Sequence, residues 1–114
     1  MQITVTGRHV DITSAIREYA EGKVSDALQL FPRVESVHVI LSVEKYRHRA
    51  EVVVQGAGHV RVDAHDEGDD MYASIDAAAE KAAKQLRKLR DRVHDHKGAE
   101  PLAEAEVKAS KKEE

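Results

Sequence analysis

The chain contains no cysteine and no tryptophan. The first absence removes disulfides, thiolate metal sites and a cysteine nucleophile at once. The second leaves Tyr19, Phe31, Tyr46 and Tyr72 as the whole aromatic complement, too sparse for a platform on which successive nucleic-acid bases would stack. No apolar run approaches the roughly 18 residues of a membrane span. The alternating opening from Met1 to Thr6 is too short for a signal peptide. A glycine-rich phosphate loop, a nucleophile elbow and a triad ordering are all missing. Neither an enzyme nor a cofactor is expected, and a soluble, cytoplasmic protein is the default. A length of 114 residues suits one two-layer core and no more.

What the chain does have is charge, unevenly placed. The formal net charge is only −3. Yet Lys81, Lys84, Arg87, Lys88, Arg90 and Arg92 fall within about three helical turns, with only Asp91 opposing them. Cations gathered on one element of a near-neutral protein make a local footprint for phosphate and leave the remaining surface non-sticky.

Periodicity places that element. Ile3 and Val5 alternate with polar neighbours as in a strand. Thr13 suits an N-cap, and Ile16, Ala20, Val24, Ala27, Leu28 and Phe31 recur at helical spacing until Pro32 ends the helix. Val37, Val39, Leu41 and Val43 share one face of a second strand, and Ala50, Val52 and Val54 one face of a third. The Glu44-Lys45 link between them predicts an antiparallel hairpin. After the Gly56-Ala57-Gly58 turn, His59 to His65 supplies a fourth strand. Asp66-Glu67-Gly68-Asp69-Asp70 then breaks the pattern, and a long helix reads from Asp69 to His96 with carboxylates at its start, where a helix dipole favours them. The order β-α-β-β-β-α predicts an α+β fold, two helices packed on one face of a four-stranded sheet. Residues 1–97 form the domain, and residues 98–114 read as a disordered charged tail.

Projected on the long helix, Ile75, Ala79, Ala82, Leu86, Leu89 and Val93 make the buried stripe, its alanine-rich centre allowing close approach to the sheet. Lys81, Lys84, Lys88 and Arg92 share one flank, and Arg87 and Arg90 lie on the other. Lys23, beside the stripe of the first helix, joins a cationic groove if the helices lie side by side. The bland alternative is that late basic residues complement the helix C-terminus. Against it stands their density, since like charges at i,i+4 repel by a few tenths of a kcal/mol.

Two sharper chemistries fare poorly. The seven histidines invite a metal, but His94 and His96 point opposite ways on a helix. His38, His48, His59 and His65 lie on strands without an accompanying carboxylate spacing, so surface histidine is the better reading. The carboxylates from Asp66 to Asp70 read as a helix cap rather than an acid–base pair. Met71 and Tyr72 read as core packing at the helix start.

Met1-Gln2-Ile3-Thr4-Val5-Thr6-Gly7, Val10-Asp11-Ile12-Thr13 with Ile16-Arg17, and the Val43-Glu44-Lys45 hairpin resemble the ribosome hibernation-promoting factor and ribosome-associated translation inhibitor family. So does Asp70-Met71-Tyr72-Ala73-Ser74-Ile75-Asp76 followed by Lys81, Lys84, Gln85, Leu86 and Lys88. The resemblance covers roughly residues 1 to 96. It implies a fold similar to a double-stranded-RNA-binding domain with an extra strand. It further implies binding to the small ribosomal subunit at the mRNA and tRNA channel, which inhibits translation by occupancy in stationary phase or stress. Contact with small-subunit rRNA falls, by this resemblance, to Lys81, Lys84, Arg87, Lys88, Arg90, Arg92 and Lys23. A-form RNA is held in this way, by shape and phosphate contacts. The family's long form has a second, ribosome-pairing domain for which the chain leaves no room. A separate ribosome-dimerising factor is thus a candidate partner, with the protein a monomer off the ribosome. The mixed-charge tail lacks a clear counterpart of the inhibitor-type tail, which leaves the subtype open. A general double-stranded-RNA or RNA-chaperone module is the rival reading, and an adaptor for acidic proteins a third.

Overall fold

Alternation of apolar and polar residues dictates a sheet with one dry face, and the remaining apolar stripes belong to the helices that dry it. A computed structural model of the chain describes residues 1–96, with side chains through Arg92. The elements are β1 (Gln2–Arg8), α1 (Ser14–Leu28), β2 (Val34–Glu44), β3 (Arg47–Gly56), β4 (Val60–Gly68) and α2 (Met71–His96). This is the expected β-α-β-β-β-α order. The tail expected over 98–114 lies outside the described residues. Two compact units divide the chain, Met1–Ala83 and Lys84–Glu114, the second described only through His96.

The four strands line up in the order β1-β2-β3-β4. β1 runs parallel to β2, with α1 as the crossover that a parallel pair demands. β2, β3 and β4 pair antiparallel. Val5, Val37, Val39, Leu41, Ala50, Val52, Val54, Val62 and Ala64 are buried on one face. The core of the first unit is completed by Ala20, Val24 and Leu28 of α1 and by Met71, Ile75, Ala78, Ala79, Ala82 and Ala83 of α2. Apart from Met71 and Ser74 its buried side chains are aliphatic, and alanine lets α2 lie close.

Thr13 caps α1 as expected, its hydroxyl accepting from the Ile16 amide at 3.2 Å. The helix ends at Leu28 rather than running on to Pro32. A residue before proline is disfavoured in helical conformation, so Phe31 cannot continue the turn. Instead its amide donates to the Leu28 carbonyl, and the Val34 amide donates to the Phe31 carbonyl, turning the chain into β2.

β4 runs further than the periodicity indicated, since Asp66 pairs with Ala50 and Glu67 with Arg49 in the β3 ladder. Those two carboxylates are therefore strand residues and not part of a helix cap. Capping falls to Asp70, whose carboxylate accepts from the Tyr72 amide at 3.3 Å and whose carbonyl accepts from Ser74. Met71 enters the core as expected. Tyr72 does not; its ring is partly exposed and meets Tyr19 edge-on at 4.8 Å.

Candidate nucleic-acid interface

An exposed cation recruits phosphate best when no neighbouring carboxylate already holds it. The predicted cations separate on that criterion. In the first unit, the Lys81 ammonium donates to the Asp66 carboxylate at 2.9 Å and to the His65 carbonyl at 3.1 Å, tying the first half of α2 to β4. Lys23 lies 3.6 Å from Asp76. Asp76 also accepts from the Tyr19 hydroxyl at 2.6 Å, and this hydrogen bond, aided by desolvation, raises the Tyr19 phenol above its ordinary range. Lys23 is thus part of a Tyr19–Asp76–Lys23 clasp joining α1 to the start of α2. On the open face of the sheet, Arg47 pairs with Glu67 at 3.2 Å and Arg49 with Glu51 at 3.5 Å.

The second unit differs. Lys84 and Arg87 are exposed, and neither has an ion-pair or hydrogen-bond partner among the described residues. Arg90 is also exposed, 3.7 Å from Asp91. Lys88 and Arg92 are half-buried and engaged in interactions of their own. Lys84, Lys88 and Arg92 follow one another at i+4 steps along a single helix flank. Leu86 supplies the buried side of the same segment and Leu89 a half-buried position. Val93, His94 and His96 lie where side chains are not described.

The open face carries a second electrostatic feature. Cross-strand register sets Glu51 opposite His65 and Val53 opposite Asp63, which brings Glu51 beside Asp63. Their shared hydrogen bond, then burial and the adjacent Asp63 charge, raises the Glu51 carboxyl, while Arg49 and His65 pull it down. Across the sheet Thr6 and His38 are hydrogen-bonded at 2.8 Å. No group of three or more His, Asp or Glu among the described residues converges to hold a metal.

One residue escapes sequence reasoning altogether. The β2–β3 turn is Lys45-Tyr46, not Glu44-Lys45, and it leaves Tyr46 91% exposed. Both residues have left-handed backbones, with φ of 51° and 70°. A two-residue hairpin turn of this kind calls for Asn-Gly or Asp-Gly, and a side chain there costs roughly 1 kcal/mol per residue. The available signal was the Lys-Tyr pair itself, but Tyr46 also passes for the first residue of a β-strand by propensity.

Comparison with known proteins agrees with this architecture. Residues 3–94 match the family described as Sigma 54 modulation protein / S30EA ribosomal protein. The ribosome hibernation promoting factor of Escherichia coli (strain K12) is 40% identical over 96 residues, covering 84% of this chain and 100% of that protein. The protein of the same name from Azotobacter vinelandii is 36% identical over 107 residues, covering 94% of this chain and 99% of its own length. A ribosomal subunit interface protein from Coxiella burnetii superposes with a TM-score of 0.74 at 31% identity, covering 80% of this chain and 99% of that one. No helix among the described residues is long and apolar enough to cross a membrane.

Proposed function

The chain belongs to the Sigma 54 modulation protein / S30EA ribosomal protein family, and on that premise we propose that it is a ribosome hibernation factor. It binds the small ribosomal subunit at the mRNA and tRNA channel and inhibits translation in stationary phase or stress by occupying that channel. The observation carrying this reading is the 40% identity to a hibernation promoting factor over that protein's whole length. Non-catalytic occupancy needs only shape and a phosphate-binding face.

For the face, Lys84 and Arg87 make the first contacts with rRNA phosphate, supported by Lys88, Arg90 and Arg92 on the same helix segment. Lys81 and Lys23 have a lesser part, because each must leave a carboxylate before it can meet a phosphate. The protein acts as a monomer off the ribosome, and pairing of ribosomes falls to a separate factor.

Co-sedimentation with purified small subunits tests this function. Binding that mRNA and tRNA compete away is the expected result. Equal affinity for free duplex RNA would instead indicate a general double-stranded-RNA module. About five phosphate contacts from the helix segment alone predict a log–log salt slope near −4, and a flat response would point to a protein partner.

A further inference from the structure

The helix face accounts for phosphate contacts but leaves the β2–β3 tip unexplained. There Tyr46 is the most exposed large hydrophobic residue described, at 91%, and it is held out on a left-handed backbone that disfavours any side chain. Such strain at an exposed tip concentrates at functional positions. The ring also has a cationic setting. Lys45 adjoins it, and Arg8 lies at the same end of the sheet through its pairing with Ser42, itself opposite Arg49. Arg47 and Arg49 are engaged with Glu67 and Glu51. Lys45 and Arg8 are exposed and have no ion-pair partner among the described residues.

An exposed ring with Lys45 next to it in the chain and Arg8 at the same end of the sheet matches the chemistry of an unpaired nucleotide, whose base offers a π-face and whose neighbours offer phosphates. We propose that Tyr46 is a base-stacking site, its ring taking one unpaired base of ribosomal RNA while Lys45 and Arg8 meet the flanking phosphates. The site rests on the ribosome-binding reading above and deepens it. It adds a tip that reads a splayed base to a helix that reads backbone charge. One ring suffices, so the scarcity of aromatics elsewhere is no obstacle.

Two variants test it. Tyr46→Gly removes the ring and relieves the left-handed strain, so the melting temperature stays level or rises while affinity for small subunits falls by about 5- to 150-fold, the range a stacked base contributes. The salt slope stays unchanged, because no phosphate contact is lost. Tyr46→Trp places the chain's only tryptophan at the site. Its emission is quenched on adding small subunits, and affinity is kept. If wild-type protein pellets with small subunits while Tyr46→Gly binds equally well and Trp emission is unmoved, the stacking site is wrong and the ribosome reading stands. A weakened Tyr46→Gly without quenching in Tyr46→Trp would place the ring against ribosomal protein and overturn the assignment to RNA. Failure of the wild-type protein itself to pellet would overturn the ribosome reading and the site built on it.

Discussion

Lys81 and Lys84 lie less than one turn apart on α2 and read alike in the sequence, yet their surroundings differ. Lys81 ends on the Asp66 carboxylate and the His65 carbonyl. Lys84 ends on nothing among the described residues, and Arg87 shares its condition. The same contrast sets Lys23, Arg47 and Arg49 of the first unit, each with a carboxylate within 4 Å, against Lys84 and Arg87 at the start of the second. Cations of the first kind stabilise the fold by small increments. The second kind raises local potential without internal compensation, a cost that phosphate removes on binding.

The contrast breaks most visibly under charge reversal. Lys84→Glu with Arg87→Glu is expected to weaken small-subunit binding on the order of 100-fold, because it sets like charges against phosphate, while thermal melting changes little. Pelleting at fixed salt beside a melting curve checks both halves. Tyr19→Phe acts on the opposite side of the comparison. It deletes the hydroxyl that holds Asp76 and should lower the melting temperature by a few degrees. Ribosome binding of the folded variant should be nearly untouched. Lys81→Ala is expected to cost about 0.5–1 kcal/mol in a denaturant titration, the usual value of an exposed ion pair with an added hydrogen bond.

Smallest is the effect at Glu51. Its pKa is raised in the folded protein by the hydrogen bond to Asp63, so the protonated form is favoured by folding. That stability is fully present below the ordinary glutamate range and is lost as pH rises through the folded value. Glu51→Gln keeps a donor toward Asp63 at every pH. Relative to wild type it should gain about 0.2–1 kcal/mol at pH 7, the scale of a cross-strand pair, and change little at pH 4. Melting curves at the two pH values check the sign.

Much of the fold was legible because period-2 and period-3.6 patterns are set by burial, and burial of Val37–Leu41, Ala50–Val54 and Ile75–Ala82 follows them closely. Boundaries were less legible. Asp66 and Glu67 look like cap residues by type, and only the β3 ladder makes them strand. Phe31 fits the helical stripe by spacing, but Pro32 forbids its backbone. For the site, the sequence displayed the cations and the family resemblance supplied the RNA. Which cations are held by carboxylates depends on side chains distant in the chain, Asp66 for Lys81 and Asp76 for Lys23, and no local pattern encodes those pairs. Tyr46 was hidden for a related reason, since a one-residue shift of the turn moves it from strand to tip.

The salt dependence of small-subunit binding, compared between Lys84→Ala and Lys81→Ala, tests the central contrast most directly. The log–log slope should become shallower by about one for Lys84→Ala and change much less for Lys81→Ala. Equal changes in the two variants, or a change confined to Lys81→Ala, would contradict the account.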